Sequence, residues 1–186
     1  MIRSLMLFAH VVGMLTLFAG LGVEWVSLYG IQRSMTRAEA LPWLRLVTIL
    51  PRIFGAALAT IVASGLYLGA RVGVLGNEWM RASYGALALM AIVSGPVSRA
   101  SMRALKHASG ATGEGSVHTL RAAASSPILR LSLRVRIAFG LAVVFLMIAK
   151  PDGGESLLVL ASAAALSVIA SVSRRRMLST AVQGSR

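Results

Sequence analysis

The sequence predicts an all-α protein, a polytopic bundle of membrane-spanning helices that forms a single domain over residues 1–186. Three observations predict this class. The composition is 56% hydrophobic and only 13% charged, with a mean hydropathy of +0.76, whereas soluble domains carry about 25% charged residues. Apolar runs of the length that crosses a bilayer, roughly 20 residues, recur along the chain. Short basic clusters separate these runs, as in multi-pass membrane proteins.

Five segments have the length and composition of membrane-spanning helices. They cover about residues 4–31, 51–74, 79–99, 131–149 and 156–173. Pro51 suits the first turn of the second helix, where its missing N–H costs nothing. Gly95-Pro96 is expected to kink the third helix. Residues 100–130 are predicted as a cytoplasmic loop. The segment SRASMRALKHA, which leads into it, is expected to continue the third helix as a basic helix along the membrane surface. Residues 107–126 are rich in Gly, Ser and Ala, which predicts a mobile loop with at most one short helix.

The segment between the first two spans, residues 32–50, is polar and then amphipathic. Thr36 and Glu39 have the spacing of a capping box, in which each side chain accepts a hydrogen bond from the backbone of the first helical turn. A short interfacial helix that carries Trp43 and is adjusted by Pro42 is therefore expected before the second span.

The distribution of Lys and Arg predicts an external N-terminus and a cytoplasmic C-terminus. The first loop, the third loop and the C-terminal tail carry four, seven and four basic residues, fifteen in all. The N-terminal tail and the two other loops carry one, two and one, four in all. Because the more basic side stays in the cytoplasm, five spans satisfy the alternation at every loop. Arg134 and Arg136 are counted in the third loop, from which they are expected to snorkel beside the fourth helix.

Composition and motifs exclude several classes of function. The chain has no cysteine, which excludes disulfides, zinc–thiolate sites, iron–sulfur clusters and thiol catalysis. The net charge of +13 does not predict nucleic-acid binding, because the basic residues are dispersed between apolar runs. Neither a Gly-x-Ser-x-Gly elbow nor a Gly-Lys-Ser/Thr phosphate loop occurs, so no catalytic machinery is recognisable.

The predicted location is a bacterial inner membrane. An excess of Arg over Lys together with abundant Ala and Gly is typical of GC-rich bacterial genomes. The first helix is expected to stay in the protein, because a cleavable signal has an apolar core of only about 7–15 residues followed by a small-x-small site. Here the apolar run that starts at Leu5 is longer and reaches Glu24-Trp25 without an Ala-x-Ala motif.

The first helix carries a candidate metal site. Met6, His10 and Met14 recur every four residues and therefore share one face of the helix. Thioether and imidazole groups are soft ligands that suit Cu(I), so this face predicts a copper site that opens to the outer side and is completed by another helix. In the alternative interpretation, the methionines fill gaps in the core and His10 makes one hydrogen bond between helices.

Glu24 is the second ionisable residue of the first helix. It follows His10 by almost four helical turns, so the two side chains share nearly one face. An ionisable group inside a span is a functional-site hypothesis by default. Glu24 is interpreted either as a proton or ion relay or as one half of a buried ion pair. Arg52 lies at a similar depth, at the start of the second span, and is the predicted partner.

Small residues recur every four positions along the second span. They are Gly55, Ala59 and Ala63, followed by the pair Gly65 and Gly69. Such spacing allows helix backbones to approach closely, and packing of this kind holds helices together in lipid. Both groups are therefore predicted to face another helix.

The first half of the chain resembles a known family. The stretch FAHVVGMLTLFAGLG, the run SGLYLG and Trp79 at the start of the third span resemble the copper-resistance D superfamily and related small bacterial membrane proteins. His10 and Trp79 also resemble the membrane protoporphyrinogen oxidases, in which a histidine of the first helix binds b-type haem and a lysine follows the Trp. The position expected for that lysine is near Ser83, and residues 79–99 contain neither Lys nor His.

Three functional hypotheses follow. The first is a membrane protein of the copper-resistance D type that handles a metal ion. The second is a structural or accessory subunit of a larger membrane complex, with the lipid bilayer and other membrane proteins as partners. The third, from the more distant resemblance, is a redox protein with b-type haem.

Overall fold

The computed structural model is all-α, as the composition predicts. It describes the backbone of residues 1–110 and 115–183 and the side chains of residues 1–92, 95, 103, 117–167 and 169. Six helices and no strand form within these residues. They are α1 (Ile2–Arg33), α2 (Arg37–Val72), α3 (Glu78–Gly110), α4 (Gly115–Ala124), α5 (Pro127–Ala149) and α6 (Gly153–Gln183).

The surface of the bundle is apolar and its interior contains polar groups. Among the described residues, α1, α2 and α5 are long and apolar enough to cross a membrane, and the stretch Gly153–Ser167 of α6 is a shorter apolar segment. Phe8, Leu15 and Ile148 are exposed, whereas the charged residues Glu24 and Arg136 are buried. Ionisable residues of membrane helices face the bundle interior, so this distribution is the one expected for a bundle surrounded by lipid.

Helix α2 is one continuous helix, which corrects the prediction of a separate interfacial helix before a span beginning at Pro51. Pro42 and Pro51 both lie inside α2. Pro51 itself is exposed, while Leu44, Val47 and Leu50 before it are buried. A proline removes one backbone hydrogen bond and favours a helix end. Here the packing of the buried face outweighs that local preference.

The N-terminus of α2 is capped by the residues that the capping-box spacing predicts. The Glu39 backbone N–H donates to Thr36 Oγ1 at 3.3 Å. In return, Glu39 Oε2 accepts a hydrogen bond of 2.9 Å from the backbone N–H of Met35. These bonds begin α2 close to the end of α1, which leaves a connection of only three residues, 34–36.

Helix α4 is the one short helix that the prediction for residues 107–126 allows, and it is packed into the bundle. Val117, Leu120 and Ala124 are buried at helical spacing, so α4 has an apolar face. Gln32 Nε2 donates to Ala124 O at 2.9 Å, and Arg121 Nε donates to Gln32 O at 3.0 Å. The two bonds hold α4 against the end of α1.

Three helices extend beyond their predicted limits. Helix α3 continues through Gly95 and Pro96 to Gly110 and so includes the segment 98–108, which is predicted to continue it as a basic helix. Helix α5 begins at Pro127 rather than near residue 131, and α6 begins at Gly153 and reaches Gln183. Helices therefore occupy most of the segments that the polar composition suggests as connections.

Helices α1 and α2 form an antiparallel pair whose backbones approach closely at the glycines of α1. A Cβ atom added at Gly20 would lie 2.8 Å from Phe54 Cε1, and one added at Gly30 would lie 2.5 Å from the Trp43 ring. Gly13 is likewise buried against α2. Only glycine leaves space for these side chains of α2 at the present helix separation.

The small residues of α2 divide into two groups. Gly65 and Gly69 are buried, which confirms that this pair faces other helices. Gly55, Ala59 and Ala63 form an exposed face, so no described helix of this chain covers this group. Four-residue spacing identifies a common face of a helix but does not identify which face is covered.

Replacement of Gly20 by Ala is expected to destabilise the α1–α2 pair, because the added methyl group overlaps the Phe54 ring. Overpacking of this kind costs about 1–3 kcal/mol. Gly22 is the matched control, since it lies in the same helix and no atom lies within 4 Å of the position that an added Cβ would take. Thermal unfolding of both variants in detergent, compared with the parent, measures the difference. Equal stability of Gly20→Ala and Gly22→Ala would contradict close packing at Gly20.

Candidate functional site

Glu24 occupies a position in the buried face of α1. Leu17, Leu21, Leu28 and Ile31 lie on the same face at intervals of three or four residues and are all buried. Glu24 is only 4% exposed, which places a carboxylate in a row of aliphatic side chains. A charge so far from water requires a partner.

The partner is Arg136 of α5, which is 6% exposed. Arg136 Nη2 donates to Glu24 Oε1 at 2.6 Å, and the two atoms form a buried salt bridge. Arg136 Nε is 3.4 Å from Ser132 O, one turn earlier in α5, and donates to it. The guanidinium is thus held both by its own helix and by α1.

Phe54 of α2 forms a wall of this ion pair. The Arg136 guanidinium carbon lies 5.3 Å from the centroid of the Phe54 ring, which is the distance of a cation–π contact. Phe54 packs against the aliphatic residues on both sides of the ion pair, and it fits against α1 because Gly20 has no side chain. Helices α1, α2 and α5 therefore meet at one charged pair.

Three polar atoms around the ion pair are buried without a hydrogen-bond partner among the described residues. They are Glu24 Oε2, Ser27 Oγ and Ser132 Oγ. Ser27 follows Glu24 by one turn, and Ser132 precedes Arg136 by one turn, so in antiparallel helices both serines lie on the same side of the pair. The carboxylate is held through one oxygen only, which leaves the other available for a proton or a polar ligand.

The structure separates the predicted partners Glu24 and Arg52. Arg52 is exposed on α2, whereas Glu24 faces the interior of the bundle. Similar depth along two helices does not determine direction, and the Arg52 side chain points outward from α2. Glu24 lies in a buried salt bridge whose partner is Arg136 and not the predicted Arg52.

Arg136 is buried rather than snorkelling, and the sequence contains a signal for its burial. Leu129, Leu133 and Arg136 are spaced as one helical face, and this face continues through Gly140 and Val143. A charge in register with an otherwise apolar and small-residue face points into a bundle. Removing Arg136 from the third loop lowers the basic count there by one and preserves the asymmetry.

Loss of either charge should strongly destabilise the protein, because a buried ion without its partner costs about 3–5 kcal/mol. We expect Glu24→Gln and Arg136→Gln each to lower the free energy of unfolding in detergent. The double variant should lose less than the sum of the two, with a coupling of about 0.5–3 kcal/mol.

Arg52→Gln is the control for this cycle, since Arg52 is exposed. It should have a small effect alone and show no coupling to Glu24→Gln. Strict additivity of Glu24→Gln and Arg136→Gln would show that the salt bridge does not contribute to stability.

His10 lies between α1 and α2 and is half-buried. Its Nδ1 atom is 3.1 Å from Ile61 O and 3.1 Å from Ser64 Oγ. The predicted hydrogen bond between helices is therefore present, with α2 as the second helix. The Ser64 hydroxyl donates to Thr60 O, so it accepts from the imidazole.

These contacts assign the tautomer of His10. A backbone carbonyl only accepts hydrogen bonds, and therefore the nitrogen that faces Ile61 O carries the proton. In the neutral imidazole, Nε2 then keeps its lone pair. A histidine that donates one ring N–H to a backbone carbonyl while its other nitrogen is free to bind has the arrangement of most metal-ligating histidines.

Tyr84 of α3 and His10 both approach Gly65, an arrangement that the sequence does not predict. A Cβ atom added at Gly65 would lie 3.2 Å from both His10 Cε1 and Tyr84 Oη. Tyr84 Oη is buried and has no hydrogen-bond partner among the described residues. The sequence feature that indicates a role for Tyr84 is a hydroxyl group within an otherwise apolar helical run.

Met6 and Met14 flank His10 at one turn on either side of α1 and are both half-buried. Met14 packs against the buried cluster that contains Leu17 and Ile61. Its thioether thus contributes to the core, as the alternative interpretation of the methionines states. The spacing still places both sulfur-containing side chains next to the imidazole.

The described residues contain no group of three or more His, Asp or Glu side chains arranged to hold a metal ion. A metal site around His10 would therefore depend on thioether ligands. The chain matches no protein-family model, no curated protein and no solved structure.

Proposed function

We propose that this protein is a multi-pass protein of a bacterial inner membrane with five spans, an external N-terminus and a cytoplasmic C-terminus. The asymmetry of basic residues supports this orientation. The antiparallel packing of α1 with α2 and of α1 with α5 is compatible with it. The side chain of Glu78, at the start of α3, lies against Gly153, at the start of α6, and this contact supports the same direction for both helices.

Reporter fusions test the orientation. A reporter fused after Arg186 should have cytoplasmic activity, and one inserted between Pro151 and Glu155 should have external activity, because the intervening helix crosses once. The two reporters reading the same side, or each reading the opposite side, would contradict the five-span topology.

We propose further that the outer half of α1 binds Cu(I) through His10 Nε2, with the thioethers of Met6 and Met14 as further ligands. The observation that carries this proposal is the hydrogen bond from His10 Nδ1 to Ile61 O, which orients the ring and leaves Nε2 free. Thioether and imidazole ligands select Cu(I) over harder ions. Binding and handling of the ion, rather than catalysis, is the proposed role.

Copper binding should depend on both residue types. We expect the purified protein to bind one Cu(I) under anaerobic conditions in competition with a chromogenic chelator. His10→Asn should abolish binding, and Met6→Leu together with Met14→Leu should weaken it while the His10 hydrogen bonds stay intact. Ser64→Ala, which removes one acceptor of the imidazole N–H, should lower the affinity by up to about tenfold.

Met35→Leu is the matched control for the methionine variants, since Met35 is 75% exposed and lies after the end of α1. It should leave the Cu(I) affinity unchanged. An absorption spectrum of the same preparation distinguishes the other hypotheses. A Soret band would favour b-type haem at His10 over copper.

Absence of both copper and haem would favour an accessory subunit of a larger membrane complex. One observation supports this second candidate, namely the exposure of Gly55 and Ala59 on the outer face of α2. Small residues at this spacing are typical of surfaces on which a second helix packs.

A further inference from the structure

A groove between the end of α1 and the beginning of α5 combines aromatic and basic side chains. Trp25 and Tyr29 line it on α1, and Arg130 and Arg134 line it on α5. The cavity volume is about 80 Å³, which is room for a small polar group. None of the residues that line the groove is acidic.

The basic side of the groove is preorganised. Arg130 Nε donates to Ser125 O at 3.1 Å, and Arg130 Nη2 donates to the same oxygen. This carbonyl belongs to the junction between α4 and α5, so the guanidinium is fixed at the start of α5. Arg134 follows one turn later on the same face of α5. Two guanidinium groups thus border one cavity.

The aromatic side of the groove has the character of a membrane interface. Trp25 is 53% and Tyr29 is 49% exposed, although both lie on an otherwise apolar helix. Trp and Tyr are enriched where the hydrocarbon region meets the headgroups. The guanidinium carbon of Arg33 lies 4.6 Å from the centroid of the Tyr29 ring, which adds a third positive charge near this end of α1.

We propose that this groove binds the phosphate of an anionic phospholipid headgroup. Guanidinium groups match phosphate oxygens in pairs of hydrogen bonds, so Arg130 and Arg134 supply the recognition of charge and shape. Leu28 and Leu133 also line the groove and offer an apolar surface to the adjoining acyl chain. Basic pockets between membrane helices bind acidic lipid headgroups for this reason. The proposal is independent of the copper site.

Quenching of Trp25 fluorescence by brominated lipids tests the proposal. The full-length chain carrying Trp43→Phe and Trp79→Phe, which leaves Trp25 as the single tryptophan, is reconstituted in phosphatidylcholine vesicles. A small fraction of brominated phosphatidylglycerol or brominated phosphatidylcholine is then added. We expect stronger quenching by phosphatidylglycerol. Arg130→Gln together with Arg134→Gln should reduce the preference by about 30-fold, since each Arg near an anionic membrane surface strengthens binding roughly fivefold.

The matched control is Arg45→Gln together with Arg52→Gln, which also removes two charges but from exposed positions of α2. It should retain the preference for phosphatidylglycerol. Because Arg130 holds the α4–α5 junction, Arg134→Gln alone provides a second variant, and it should lose part of the preference while keeping the helical circular dichroism of the parent.

Three results would overturn the proposal. The first is equal quenching of the parent by the two brominated lipids. The second is an equal loss of preference in the α2 control, which would indicate general attraction of basic residues to an anionic surface. The third is displacement of brominated phosphatidylglycerol by millimolar inorganic phosphate, which would identify a free-phosphate site.

Discussion

The burial of one carboxylate and one guanidinium among apolar helices is the constraint on which the arrangement of this bundle depends. Moving either ion out of water costs several kcal/mol, and their mutual contact is the main offset, helped by Ser132 O and the Phe54 ring at Arg136. The contact between Glu24 and Arg136 therefore determines which faces of α1 and α5 meet and at what height. Apolar contacts alone would permit many rotations of two such helices, whereas a charged pair permits few.

The contact between α1 and α2 depends on glycines, which have no side chain, rather than on charge. Gly20 admits Phe54, and Phe54 in turn lies beside the Arg136 guanidinium. Steric fit between two helices thus supports the electrostatic contact with a third. Near the other end of the same pair, His10 adds a hydrogen bond to Ile61 O, so α2 is held to α1 along most of its length.

Much of the architecture is predictable from the sequence, because long apolar runs have few alternatives to helix in a membrane. The capping residues Thr36 and Glu39 and the burial of Glu24 are predictable for equally local reasons. The continuity of α2 through Pro51 is not predictable from the sequence, because it depends on the packing of the buried residues before and after this proline. The partner of Glu24 is also not predictable from the sequence, because it depends on how α1, α2 and α5 are rotated relative to one another.

The candidate site around His10 likewise has features that the sequence predicts and features that it does not. Local spacing identifies His10 with Met6 and Met14, but the tautomer of the imidazole depends on a carbonyl of another helix. The approach of His10 and Tyr84 to one point of α2 depends on Gly65, whose role is to leave space and which therefore has no chemical signature of its own. Glycine spacing shows where close approach is possible, and only the assembled bundle shows where it happens.

The separation of Glu24 from Arg136 along the chain has a consequence for biosynthesis. The two residues are 112 positions apart, so at about 5–20 residues per second the arginine is synthesised roughly 6–20 s after the carboxylate. In the later part of that interval α1 and α2 are already made and α5 is not. The nascent α1–α2 hairpin has to accommodate the Glu24 side chain without its counter-ion until α5 arrives. Glycine packing and the His10 hydrogen bond, which involve only these two helices, are the contacts available to hold the hairpin during this wait.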